Sequence, residues 1–222
     1  MQALDRVIRD AYPQTRYIPE HLIAGEFLRP RVPRGPRPCK WPVITLVRDP
    51  IARNVSSFFQ DLTTRHTHLD YAALLAEDDV EGNARRLIDT FLIRHDHQRP
   101  LKWFDMELKR VFDIDIFAEP FDKEKGFTIY GNDRCRVLLI KLEALDRCAA
   151  PAFQQFLNTN AFKLPNENVS AQKDYGRLYD AVRKSIHFPD DFIDRMYTSR
   201  LVQHLYTDDE IAGFRRRWRL PV

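Results

Sequence analysis

Arg48, Asp49, Arg53 and Ser56 stand close together in the stretch Arg48-Asp-Pro-Ile-Ala-Arg53-Asn-Val-Ser56, and their chemistry is that of an oxyanion site. A guanidinium is a planar fork that fits a phosphate with two parallel hydrogen bonds, and a serine hydroxyl adds a further donor. Arg53 and Ser56, three residues apart, share a face if the segment is helical. Asp49 can cap such a helix, and Pro50 suits its first turn, where no amide hydrogen is needed. The unpaired N–H groups of a helix start add partial positive charge. A crossover whose Arg48 pairs with a nearby carboxylate fits the same residues, and spacing alone leaves both readings open.

To place Arg48 at a ligand, the chain needs a strand in front of it. Residues 43–47 are an apolar, β-branched run after Trp41-Pro42 and predict a buried strand. Arg48 then falls at the carboxyl end of a sheet, where open α/β proteins bind ligands. Residues 137–140 predict a fully buried central strand, with Glu143 just past its end. A strand-end carboxylate can serve as a base, but the expectation for Glu143 is a cap on the following helix or a pair with a basic residue. Residues 127–130 and 135–141 flank Gly131-Asn-Asp and predict an antiparallel pair with a tight turn.

Helical periodicity governs most of the remainder. Leu87, Ile88, Phe91 and Leu92 make one stripe, and residues 100–112 predict a second helix with proline in its first turn. Tyr175, Leu178, Tyr179, Val182 and Ile186 make another, Pro189 opens a short helix, and Thr207-Asp-Asp-Glu210 is a capping box. The carboxyl-terminal third is therefore expected to be helical. Trp103 reads as core, or as a stacking platform if it lies at a rim.

Other candidate ligands carry less pattern. His66 and His68, like His95 and His97, are two apart, so a helix would point them to different faces, and no partner has metal spacing. No metal is expected. Cys39, Cys135 and Cys148 are odd in number and read as reduced thiols of a cytoplasmic protein. Residues 29–40 crowd proline with positive charge and predict an extended surface loop, either a solvated connector or a contact for an acidic partner. A net charge of +3, from 35 basic and 32 acidic residues, suits an anionic ligand without demanding nucleic acid, which is not expected. No apolar run approaches the roughly twenty residues that span a bilayer. Hydrophobic residues at 44% across 222 positions allow one substantial domain, residues 1–222.

The pattern Arg48-Asp-Pro-x-x-Arg53-x-x-Ser56-x-Phe58 resembles the element by which sulfotransferases hold the 3′-phosphate of 3′-phosphoadenosine 5′-phosphosulfate. There an arginine ends a parallel strand and a serine eight residues later sits on the next helix, positions matched by Arg48 and Ser56. Residues 100–108, 120–127, 137–145 and 196–199 are similar to one bacterial branch, the capsular polysaccharide synthesis family.

The resemblance implies an α/β, P-loop-NTPase-like three-layer fold with a short parallel sheet flanked by helices. It implies sulfuryl transfer from that sulfonucleotide to a carbohydrate acceptor. His21 would be the catalytic base, and Lys173 a further phosphate contact beside Arg48, Arg53 and Ser56. One departure stands out. Sulfotransferases carry a Gly/Ser/Thr-rich loop for the 5′-phosphosulfate ahead of the first helix, and the chain opens instead on a helix-like pattern, Leu4, Val7, Ile8 and Tyr12. Either the native start lies upstream, or the loop is lost and the protein is a non-catalytic nucleotide- or glycan-binding relative. As it stands, the chain is expected to bind the nucleotide weakly and turn over poorly.

Overall fold

The computed structural model describes residues 41–62, 70–76, 79–158 and 174–219. Outside them lie His21, Lys173, Cys39, the helix expected at the amino terminus, the Arg/Pro loop and the His66/His68 pair.

Three strands form one sheet in the order β1-β3-β2, with β1 at Trp41–Val47, β2 at Phe127–Gly131 and β3 at Cys135–Lys141. β1 runs parallel to β3, with Val43 opposite Val137 and Val47 opposite Lys141. β2 runs antiparallel to β3. The sheet is thus mixed rather than purely parallel, because β2 and β3 are joined by a tight turn instead of a crossover. Asn132 builds that turn. Its Oδ1 accepts from the amides of Arg134 and Cys135 at 2.9 and 3.0 Å, and its Nδ2 donates to the Phe112 carbonyl at 2.8 Å.

Side chains of a strand alternate between faces, so β3, apolar at four successive positions, serves two cores at once. Val137 and Leu139 join Val47, Ile51, Phe58, Phe91 and Trp218 on one face. Leu138 and Ile140 join Ala149, Phe153 and Phe156 on the other. That second layer is α5, Leu145–Leu157, which follows a 3-10 turn at Leu142–Ala144.

The first face carries the remaining helices. α1 spans Pro50–Gln60, α2 Tyr71–Ala76 and α3 Val80–Arg94. α4 begins at Arg99–Phe104, passes through a π-helical turn at Asp105–Lys109 and ends in Arg110–Phe112. After α5 come α6 at Gly176–Ser185, α7 at Asp190–Tyr197, α8 at Arg200–Leu205 and α9 at Asp208–Trp218. α9 starts with the capping box read from the sequence: the Thr207 hydroxyl accepts from the Glu210 amide, and the Glu210 carboxylate accepts from the Thr207 amide at 2.8 Å.

Gly126 enters β2 with φ at +82°, and a Cβ added there would lie 2.6 Å from the Ala144 Cβ. A side chain is strained by that backbone and meets the 3-10 turn as well. Gly126→Ala is expected to cost about 2 kcal/mol, read as a lower urea midpoint with an unchanged slope.

Candidate functional site

Arg48 leaves β1 at its carboxyl end and Asp49 caps α1. The Asp49 Oδ1 accepts from the Ile51 amide at 3.0 Å. Asp49 is 1% exposed, so its carboxylate points inward and meets two more donors. The Tyr197 hydroxyl reaches Oδ1 and the Trp218 Nε1 reaches Oδ2, each at 2.8 Å. Burial first, and then the Asp49 charge, raise the Tyr197 pKa and keep the phenol a donor. Sequence reading identified the cap but not this anchoring role.

The same edge of the sheet holds a second carboxylate. Glu143, just beyond β3, accepts from the Asp49 amide at 2.7 Å and from the Tyr206 hydroxyl at 3.2 Å. It therefore ties the ends of the parallel strands together instead of capping α5. The residue as a whole is solvent-exposed, yet protein crowds its carboxylate. Burial raises its pKa, while the Asp49 amide and, more weakly, the Arg48 charge act in the opposite direction.

Beside it, Lys141 is fully buried, and its Nζ lies 2.7 Å from both Glu210 oxygens and from the Lys123 carbonyl. α9 is thus fastened at its start to β3 through Glu210 and at its end to the β1 turn through Trp218.

The raised Glu143 pKa gives stability a pH dependence of definite sign. The folded chain holds this proton more tightly than the unfolded chain, whose value is near 4.5. The contribution is fully present below that pH and is lost as pH rises through the folded-state pKa. Glu143→Gln removes the titration, so its unfolding free energy should fall less than the wild type's above pH 4.5. Urea titrations across pH would check this, and superimposable profiles would refute it.

α1 has two distinct sides. At about 3.6 residues per turn, the half-buried Arg53, Ser56 and Ser57 and the exposed Gln60 fall on one strip, while Ile51, Asn54, Val55 and Phe58 are buried on the other. Arg48 is half-buried, and among the described residues no carboxylate or carbonyl pairs with its guanidinium. Its charge does act on one internal carboxylate, that of Glu143, whose pKa it lowers.

The residues present fit an oxyanion. Two guanidinium groups and two hydroxyls belong to the strand end and this half-buried strip, and the capping carboxylate, Asp49, is turned inward and bonded to three donors. Arg48, Arg53 and Ser56 lie on this one strand–helix unit.

Asn54 escaped notice in the sequence. It is fully buried, and its Nδ2 donates to the His97 carbonyl at 3.0 Å while its Oδ1 faces the His95 Nε2 at 3.3 Å. Its position three residues after Ile51 and four before Phe58, on the apolar side of the helix, was the available signal. The His95/His97 pair packs with Phe91 and Phe192 at 4.8–5.1 Å between ring centroids. No group of three or more His, Cys, Asp or Glu among the described residues is placed to hold a metal ion, and no described helix is long and apolar enough to cross a membrane.

The fold and site define a mixed α/β protein with a strand–Arg–Asp–Pro–helix junction at the carboxyl edge of its sheet. Residues 86–207 match the NKWYS family, described as "Putative capsular polysaccharide synthesis protein". The match takes in more than half of the chain, which belongs to that family. No curated protein and no solved structure matches it.

Proposed function

We propose that the protein transfers a sulfuryl group from 3′-phosphoadenosine 5′-phosphosulfate to a glycan hydroxyl in capsular polysaccharide synthesis. The observation that carries this reading is Arg48, at the end of a parallel strand, joined by a buried cap to the helix whose half-buried strip bears Arg53 and Ser56. That is the arrangement by which sulfotransferases hold a 3′-phosphate. Membership of a polysaccharide-synthesis family supports the glycan half.

In this reading the nucleotide supplies the sulfuryl group, and the acceptor oxygen bonds to sulfur as the sulfur–oxygen bond to the 5′-phosphate breaks. Arg48 and Ser56 hold the 3′-phosphate, and Arg53 and Lys173 add donors at its flank. His21 takes the proton of the attacking hydroxyl, a task suited to a side chain that titrates near neutrality. The chemistry rests on positioning and charge neutralisation. The buried Asp49 serves positioning by fixing the strand–helix angle through three hydrogen bonds.

The test is transfer of label from sulfur-labelled donor nucleotide to capsular polysaccharide, followed together with release of 3′,5′-adenosine bisphosphate. Both products in equal amount are expected. Nucleotide binding without either product would reduce the protein to a binding relative, and no binding would end the reading.

A further inference from the structure

On the far side of α1 from Ser56, a cleft of about 380 Å³ opens between the α3–α4 connection and α7. We propose that this cleft is a carbohydrate subsite holding one or two neutral pyranose rings of a glycan chain.

Its floor is apolar and partly aromatic. Phe192, half-exposed, is stacked on the buried Phe188 with centroids 4.6 Å apart and planes 14° apart, so the ring is backed and held flat. Leu92, 39% exposed, lines the same cleft. Its neighbour Ile93, at 80% exposure, follows it on α3.

The rim is polar and nearly balanced in charge. Asp96 and Gln98 come from the connection, and Arg195 comes from α7. One Asp96 oxygen accepts from the Gln98 amide at 3.1 Å. The Arg195 guanidinium stands 6.0 Å from the Phe192 centroid and pairs with Asp191 at 3.5 Å. That pair is exposed on both sides and worth little, so a ligand displaces the guanidinium from its place over the Phe192 ring at small cost.

A pyranose matches such a cleft, because it presents an apolar C–H face to an aromatic ring and a belt of hydroxyls that both donate and accept. The size lies at the small end of ligand clefts, about 300–1,000 Å³. A nucleotide or polyphosphate fits poorly, since the single guanidinium is shared with Asp191 and the Asp96 carboxylate stands in the lining. Burial lowers the His97 pKa from the ordinary histidine value, which disfavours a positive charge there.

Two observations link the cleft to the strand–helix junction and to the family match. Its connection is held in place from behind by Asn54 of α1, the helix that bears Ser56, so the cleft and the anion strip share one rigid element. Every residue lining it falls within the segment matched to the polysaccharide-synthesis family. The proposal shares only the glycan with the reading above and does not depend on sulfuryl transfer.

Saturation-transfer NMR and calorimetry with neutral trisaccharides of glucose, galactose, mannose and N-acetylglucosamine test it, with a trigalacturonate as the charged comparison probe and no nucleotide present. At least one neutral trisaccharide should bind, about tenfold more weakly in Phe192→Ala, matching the roughly 1.4 kcal/mol of a lost stacking contact. Asp96→Asn, at an exposed position where an amide oxygen still accepts from Gln98, should weaken it several-fold without affecting folding. The proposal is overturned if no neutral trisaccharide binds, if trigalacturonate binds better, or if both variants bind as the wild type does. Because the sulfonucleotide is left out, failure here leaves the Arg48 and Ser56 reading intact, and failure of that reading leaves this one intact.

Discussion

Replacing Asp49 by alanine is expected to destabilise the fold by about 4 kcal/mol, the largest stability effect of any single substitution considered. The carboxylate is buried and satisfies three donors: the Ile51 amide, the Tyr197 hydroxyl and the Trp218 indole. Alanine leaves all three in place without an acceptor, and a buried donor without a partner costs about 1–3 kcal/mol. The helix start loses its cap as well. In a chain of this length, 4 kcal/mol lowers the melting temperature by about 10 °C. Asp49→Asn keeps one oxygen but presents an amide to a donor, so it should fall between wild type and alanine. Tyr197→Phe removes one donor together with its need for an acceptor and should cost about 1 kcal/mol. Thermal unfolding followed by circular dichroism orders the four proteins. An Asp49→Ala within 1 kcal/mol of wild type would mean that the carboxylate is not the joint described.

Arg48→Ala is expected to weaken binding of 3′,5′-adenosine bisphosphate about a hundredfold while leaving the fold almost as stable as before. The guanidinium is half-buried, and among the described residues truncation removes only its long-range attraction to Glu143. Two charge-assisted hydrogen bonds to phosphate are worth about 3 kcal/mol together, a little over two decades in affinity. Arg48→Lys keeps the charge without the fork and should recover only part of the loss. At a ligand concentration a hundred times the dissociation constant, the wild type should gain about 2.7 kcal/mol of stability. The variant should gain under half of that. A variant that binds like wild type, or one that fails to fold, would remove Arg48 from the site.

Asp49 and Arg48 also show where sequence pattern ends. The strand, cap and proline that bring them to the sheet edge are local, and local chemistry predicts them: an apolar β-branched run, a capping carboxylate and a fixed φ. The β2–β3 pair, the stripe of α3 and the box at Thr207 were legible for the same reason.

What Asp49 touches was not legible, because Tyr197 and Trp218 are 148 and 169 residues away. Lys141 illustrates a missed signal. It continues the alternation of Val137 and Leu139 toward the same core, so a charge there demanded a buried partner, which Glu210 supplies. The reading of Glu143 as a helix cap failed through neglect of the strand beside it: in parallel register, β1 ends next to β3, and the free Asp49 amide lies within its reach. The π-helical turn at Asp105–Lys109 left no mark that periodicity could detect.

The central claim is that Arg48 and Ser56 recognise a phosphate on the 3′ side of an adenosine nucleotide. Calorimetric titration of 3′,5′-adenosine bisphosphate against 5′-adenosine monophosphate tests it most directly, because the two differ only in that phosphate. The bisphosphate should bind at least tenfold more tightly to the wild type, with the preference reduced in Ser56→Ala and lost in Arg48→Ala. Equal affinity for the two nucleotides, or a preference that survives Arg48→Ala, would contradict it.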